Sequence, residues 1–182
     1  MKTVLIAVMS IDGCITRHDG SGAGSWASPE DQAHFRASSS LCDVRIFGSG
    51  TYTPDRDWFR TVLAGGVRRV VMTRRPDEFA ADAVAGQLEF TSESPGTLID
   101  RLRSDGHTRC AILGGGAIYG AFLREDLIDE IELTIEPLMF GSGVRLAGGD
   151  PIDQRFELVS IEKLNASTLL ARYRRPIDQR VA

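Results

Sequence analysis

The sequence predicts a three-layer α/β fold, one mixed and mainly parallel sheet of about eight strands flanked by helices. Three observations carry that prediction. Apolar runs of strand length, such as Thr3–Met9 and Cys110–Leu113, show almost no polar alternation, as strands buried on both faces do. Up to about residue 138 such runs alternate with helix signals, and beyond it the chain is strand-rich, which adds antiparallel strands to a parallel sheet. No repeat, low-complexity tract or internal linker interrupts the 182 residues, so 1–182 reads as one domain.

Residues 3–9 form the first strand. Residues 10–27, rich in Gly, Ser and Asp, make a loop of the length that compact domains keep for lids and binding loops. Ser28-Pro29-Glu30-Asp31 opens a helix running to about Leu41, with Ser28 as N-cap, Pro29 in the first helical position and Phe35 inward. The short strand Val44–Phe47 closes at Gly48-Ser49-Gly50-Thr51, Tyr52–Phe59 follows as a loop with aromatic anchors, and Gly65-Gly66 makes a turn. Val67–Thr73 is a strand ending in Arg74-Arg75-Pro76, where the proline stops it. Leu88–Thr91 is a brief strand, and Pro95–Ser104 a helix with Gly106 past its end. Cys110–Leu113 breaks at Gly114-Gly115-Gly116 straight into a helix through Leu123. Glu130–Leu138 alternates, with Ile131, Leu133 and Ile135 on one face, Thr134 and Glu136 on the other, and Pro137 ending or bulging it. Phe156–Leu164 and Thr168–Arg174 form a hairpin through Asn165-Ala166-Ser167.

Composition excludes several classes. A net charge of −4 argues against a nucleic-acid surface. No apolar run approaches the roughly 20 residues of a membrane span. Met1–Met9 has one Lys and a short apolar run with no small-residue cleavage site after it, so no signal peptide is expected. Cys14, Cys42 and Cys110 are odd in number and widely spaced, as free thiols in a reducing cytoplasm are. His18, His34 and His107 lack metal-ligand spacing, and no metal site is expected.

Three strand ends carry the same chemistry. Gly48-Ser49-Gly50-Thr51, Thr73-Arg74-Arg75 and Gly114-Gly115-Gly116 each follow an apolar run with small, hydroxyl or cationic groups. Ligands of open α/β sheets bind outside the carboxyl ends of parallel strands. Glycines there let backbone N–H groups approach a ligand, and a helix beginning at the same point adds unpaired donors and a positive dipole end. Each corner alone reads equally as a tight turn or a solvated charge. Their co-occurrence points to a dinucleotide, with Arg74 or Arg75 paired to a ribose 2′-phosphate, hence NADP(H) over NAD(H). The Rossmann fingerprint does not fit, because Tyr119 stands where the third glycine belongs, and no Gly-Lys-Ser/Thr makes a P-loop.

A reductase also needs a proton source near the hydride acceptor. Asp31, on the first helical turn after the long loop, can face a cleft under that loop, or serve only as the acid of a capping box. Ser10 and Asp12 end the first strand, where they enter the same cleft or form a turn through Asp12-Gly13. Trp26 walls the cleft or packs beneath the loop.

On these residues the chain resembles the dihydrofolate reductase-like superfamily, and more closely the stand-alone relatives of the reductase half of the bacterial riboflavin-biosynthesis deaminase-reductase. Ser10-Ile11-Asp12-Gly13 looks like that group's Ser-x-Asp-Gly opening. Trp26-Ala27-Ser28-Pro29-Glu30-Asp31, with Phe35, is similar to its Trp-x-Ser stretch and to the segment of dihydrofolate reductases whose Asp, in register with Asp31, is the active-site carboxylate. Gly48–Tyr52 resembles the Met-Gly-Arg-x-Thr-aromatic corner for pyrophosphate and 2′-phosphate, and Val70–Arg74 the hydroxyl-rich strand end around the adenosine phosphate. Gly114-Gly115-Gly116-Ala117-Ile118-Tyr119 resembles the glycine motif that contacts the dinucleotide and contains a cis Gly-Gly peptide. Thr134 falls where the family places a Thr near the substrate heterocycle and the carboxylate.

The resemblance implies NADP(H)-dependent hydride transfer to a small pterin- or pyrimidinone-like heterocycle, with Asp31 catalytic and Ser10, Asp12, Trp26 and Thr134 at the substrate. A homodimer is what the riboflavin-type relatives further imply, while the cytoplasmic expectation rests on the three cysteines. Three departures matter. The Arg of the Met-Gly-Arg corner is Ser49, which leaves 2′-phosphate selectivity to Arg74 or Arg75. No Arg matches the one that grips the folate glutamate tail, since Arg68 and Arg69 lie out of register. The zinc deaminase half, with its His-x-Glu and Pro-Cys-x-x-Cys, is absent. A true dihydrofolate reductase and a non-catalytic dinucleotide-binding protein are the alternatives.

Overall fold

Strands buried on both faces need a layer on each side, and the computed structural model, which describes residues 1–63, 66–149 and 151–176, supplies them. Strands β1 (Lys2–Ser10), β2 (Val44–Gly48), β3 (Arg68–Met72), β4 (Leu88–Thr91), β5 (Arg109–Ile112), β6 (Glu130–Glu136), β7 (Glu157–Lys163) and β8 (Leu169–Arg174) form an eight-stranded sheet. Their spatial order is β4-β3-β2-β5-β1-β6-β8-β7. The first six in that order run parallel, and β8 and β7 are added antiparallel beside β6.

Helices α1 (Pro29–Ser40), α2 (Ser49–Tyr52) and α3 (Arg56–Thr61) cover one face, and α4 (Pro95–Ser104) and α5 (Gly116–Arg124) the other. Strand β1 divides its side chains between the two cores. Val4 and Ile6 join Phe47, Tyr52, Phe59 and Val71 on the first face. Leu5 and Ala7 join Leu98, Leu102 and Phe122 on the second. The fold class expected from the sequence is the one observed.

Local signals explain most boundaries. Ser28 Oγ accepts from the Asp31 N–H at 3.2 Å, and Ser94 Oγ from the Thr97 N–H at 3.3 Å, so α1 and α4 begin at their N-caps. Gly106, with a φ of 89°, follows α4, a conformation that favours glycine. Strand β6 stops at Glu136, just before Pro137.

One stretch differs from expectation. Tyr52–Phe59, expected as a loop, holds the end of α2 and the start of α3. Helices this short do not stand on propensity, and tertiary packing supplies what propensity lacks. Tyr52 and Phe59 are 0% and 1% exposed and make edge-on ring contacts with each other and with Phe47, Phe79 and Phe90. Such contacts contribute about 0.5–1.5 kcal/mol each beyond burial. Of the expected Gly65-Gly66 turn, Gly66 has a φ of 73°, whereas Gly65 lies outside the described residues, as do 177–182 of the expected domain. Among the described residues no helix is long and apolar enough to cross a membrane, and no group of three His, Cys, Asp or Glu could hold a metal ion.

Candidate active site

Parallel strands β2, β3, β4 and β5 bring their carboxyl ends to one side of the sheet, where the chain turns and backbone is left open to a ligand. These ends enclose a cleft of 610 Å³. Gly48, Ser49, Gly50 and Thr51 line it after β2, Thr73 and Arg74 after β3, Thr91, Ser92 and Glu93 after β4, and Gly115 to Ile118 where α5 begins. Met72 at the end of β3, Ile15, Thr16 and Gly20 of the 10–27 loop, and Val144 complete the lining. The three corners singled out in the sequence thus meet in one cavity.

Glycine is required at two of its walls. A Cβ on Gly48 would lie 2.7 Å from Ile118 Cγ1, and one on Gly116 would lie 2.5 Å from the Arg145 carbonyl oxygen. The Gly48 N–H donates to the Gly114 carbonyl at 2.7 Å and joins the end of β2 to the glycine corner. The Gly114–Gly115 peptide is cis, as the resemblance implied. Helix α5 begins at Gly116 on the lining, so its first N–H groups, which no helical carbonyl can satisfy, lie at the cleft wall.

Two expected cofactor contacts lie elsewhere. Arg74 lines the cleft, but Arg75 is turned away, its side chain 76% exposed and its guanidinium 2.8 Å from Glu78. Any contact with a 2′-phosphate therefore rests on Arg74. Tyr119 lies beneath the glycines rather than among them. It is 4% exposed and its hydroxyl donates to the Ile6 carbonyl at 2.8 Å. Burial, with the charge of Asp31, pushes its pKa up. Sequence reasoning missed the β4 corner, although Thr91-Ser92 repeats the hydroxyl-rich strand end that had drawn attention to Thr73.

Beside the cleft, the first turn of α1 meets β6 in a buried acidic chamber. Asp31 is 5% exposed, Thr134 1% and Glu136 3%. A capping box needs the acid to accept the N-cap N–H. Here that bond goes to Glu136, whose Oε1 accepts from the Ser28 N–H at 2.8 Å while its Oε2 accepts from Thr168 Oγ1 at 2.8 Å. The capping role expected as an alternative for the Asp31 carboxyl is thereby taken by another residue. The Asp31 carboxyl instead has the side chains of Thr134, Glu136 and His34 as its electrostatic neighbours. Burial raises its pKa above the ordinary carboxyl value, and the nearby Glu136 charge adds to the rise. Thr134 and His34 act in the opposite direction. Asp31 is therefore an acid biased toward holding its proton.

Ser10 and Asp12 bond within the protein. Ser10 Oγ donates to Asp12 Oδ1 at 2.6 Å, and Asp12 also accepts from the N–H groups of Phe140 at 3.1 Å and Gly141 at 2.8 Å. These bonds, that of Ser10 foremost, lower its pKa to about 2. Arg145 Nη1 donates to the Asp12 carbonyl at 2.6 Å and the Val144 N–H to Thr16 Oγ1 at 2.9 Å. The 10–27 loop is in this way fastened to residues 140–145. Trp26, 8% exposed, meets Phe140 edge-on at 5.1 Å, and its Nε1 is buried with no acceptor among the described residues. Ser10, Asp12, Trp26, Asp31 and Thr134 do not line the 610 Å³ cleft; the 10–27 loop runs from one region to the other, with Thr16 on the cleft and Trp26 at the far end.

The family model of the RibD C-terminal domain matches residues 2–170. The chain belongs to the RibD C-terminal domain family. Protein YwjB of Bacillus subtilis, uncharacterized, is 28% identical over 148 residues, which cover 80% of this chain and 82% of YwjB. A putative riboflavin biosynthesis protein of Shewanella sp. PV-4 shares the fold with a TM-score of 0.78 at 23% identity, over 97% of this chain and 99% of that one. The Thermotoga maritima diaminohydroxyphosphoribosylaminopyrimidine deaminase/5-amino-6-(5-phosphoribosylamino)uracil reductase gives 0.79 at 19% identity, over 96% of this chain and 56% of its own. A pyrimidine reductase-like protein of Corynebacterium diphtheriae gives 0.72 at 17% identity, over 95% and 91%. The RibD C-terminal fold thus occurs both alone and as part of a longer bifunctional chain.

Proposed function

We propose that this RibD C-terminal domain protein is an NADPH-dependent reductase that transfers a hydride to a C=N or C=O carbon of a small pterin- or pyrimidinone-like heterocycle, as in riboflavin biosynthesis. The observation that carries this reading is a buried Asp31 carboxyl, released from capping by Glu136, beside a cleft lined with open backbone. The residues present suit the dinucleotide. Gly48–Thr51 and Gly115–Ile118 present backbone and small side chains to the cleft and would hold a pyrophosphate. Thr73 and Arg74 would take the 2′-phosphate.

When bound, NADPH supplies the hydride, and the chain's own residues bind, orient and protonate. Hydride addition leaves charge on the heteroatom of the reduced bond, and Asp31 supports proton delivery to that atom. Thr134 orients the Asp31 carboxyl, and Trp26 Nε1 offers its unused donor to a ring acceptor. The 10–27 loop, held through Asp12, excludes water.

A true dihydrofolate reductase is disfavoured by the arginines nearest the glutamate-tail position. Arg68 is paired with Glu89 at 2.7 Å and Asp105 at 3.1 Å, and Arg69, 3% exposed, donates to the Val67 carbonyl. Leu158, Val159 and Ile161, exposed on the edge strand β7, support the homodimer, and the buried thiols of Cys14, Cys42 and Cys110 fit a cytoplasmic setting.

A thermal-shift panel of NADPH, NADH, flavins and folates, followed by NADPH-consumption assays with pterins and aminopyrimidinones, tests the proposal. NADPH at 100 times its Kd is expected to stabilise the protein by about 2.7 kcal/mol, and oxidation is expected only when a heterocycle is offered. Binding without consumption of NADPH on any heterocycle favours the non-catalytic alternative. No stabilisation by any dinucleotide overturns the reading.

A further inference from the structure

One wall of the cleft carries a carboxylate that the proposed reaction does not use. Strands β3 and β4 are neighbours, and their ends are tied by the Thr73 N–H donating to the Thr91 carbonyl at 2.9 Å. Arg74 follows Thr73 directly and Glu93 lies two residues past Thr91, so a cation and an anion line the same end of the cleft. That end is the farthest along the sheet from β1 and β6, where the acid chamber sits, and so belongs to the adenosine half of a dinucleotide.

Glu93 is rigidly held. Arg101 donates from Nε to Oε1 at 3.0 Å and from Nη2 to Oε2 at 2.7 Å, and Thr91 Oγ1 donates to Oε2 at 2.9 Å. The Arg101 hydrogen bonds foremost lower the Glu93 pKa, which keeps it ionised at neutral pH. Arg101 does not cancel this charge, because its Nη2 also reaches Glu89 at 2.9 Å. Across the cluster, two arginines, Arg68 and Arg101, serve three carboxylates, Glu89, Glu93 and Asp105, and the surplus is negative. A fixed carboxylate accepts from a ribose hydroxyl and repels a phosphate, whereas a guanidinium does the reverse.

We infer that Glu93 is a second specificity-determining residue: it accepts a ribose hydroxyl and opposes the 2′-phosphate that Arg74 attracts, so the cleft takes NADH as well as NADPH. The inference rests on the dinucleotide reading of the cleft and deepens it. Arg74 sets a preference for NADPH, and Glu93 holds that preference down.

The test is equilibrium binding of NADPH and NADH to wild type, E93Q and R74Q, read as the ratio of the two Kd values. Wild type is expected to bind both. E93Q is expected to raise the preference for NADPH about fivefold or more, and R74Q to lower it by a similar factor. Disturbance of the Arg101 cluster alone moves both affinities together and leaves the ratio unchanged. An unchanged ratio in E93Q, or wild-type binding of NADPH without NADH, overturns the inference and leaves the proposed function standing. Failure of wild type to bind either dinucleotide overturns the underlying reading.

Discussion

The strand-end cleft and the acid chamber next to it are built by opposite rules. The cleft is made of strand ends, with glycines where Cβ atoms cannot fit and polar groups left open to a ligand. The chamber is made of side chains 5% exposed or less, with Glu136 bonded across the fold to Ser28 and Thr168. One region binds by what it leaves free, the other acts by what it keeps out of water. Under the proposed function, the difference makes cofactor affinity and proton delivery separable, so each is expected to be breakable while the other persists.

The largest expected effect falls on the chamber. Asp31→Asn removes the proton but keeps the shape, so turnover is expected to fall by about 10²–10⁴-fold, with the NADPH Kd within about twofold of wild type. Steady-state kinetics beside a binding titration check both halves. Equal losses in both would show that the two regions are not separable.

Gly116→Ala strikes the cleft instead. Its new methyl would meet the Arg145 carbonyl oxygen at 2.5 Å and Val144 Cγ1 at 2.8 Å. Because the first of these is backbone, the 144–145 segment must shift, at a cost of about 1–3 kcal/mol. Dinucleotide affinity is expected to weaken about tenfold by titration, while the Asp31 pKa stays in place.

A smaller effect sharpens the chamber's electrostatics. Glu136→Gln removes the charge that helps raise the Asp31 pKa, yet its amide oxygen can still accept the Ser28 N–H. The proposed function makes Asp31 the proton donor, so kcat/KM is expected to decline as pH rises through its pKa. In the variant that pKa is lower, and the decline is expected to begin at lower pH. Thr134 and His34, which also face Asp31, are unchanged. A pH–rate profile that does not move would remove Glu136 from the account.

Legibility in the sequence follows the same division. The sheet and the cleft are written locally: an apolar run followed at once by Gly48-Ser49-Gly50 or Gly114-Gly115-Gly116 places glycine and strand end together in the chain. The overlooked Thr91-Ser92 corner is local too, a hydroxyl pair closing a short strand, but no glycine marks it. The two short helices were hidden because rings distant in sequence, such as Phe79 and Phe90 around Tyr52, hold them. The status of Asp31 was hidden for the same reason. Local capping rules join Ser28 to Asp31, and a glutamate 108 residues from Ser28 takes the bond. Alternation along β6 already put Thr134 and Glu136 on one face, but nothing local says which helix that face meets.

The released acid is the central claim, and its own titration tests it most directly. The Asp31 carboxyl resonance, assigned by loss in D31N and followed by NMR against pH in the cofactor-free protein, gives its pKa without reference to any substrate. The expected result is a pKa above the ordinary 3.8, moving downward in E136Q. A value at or below 3.8, unchanged in E136Q, would mean that Asp31 is an ordinary ionised residue of the helix and would contradict the account.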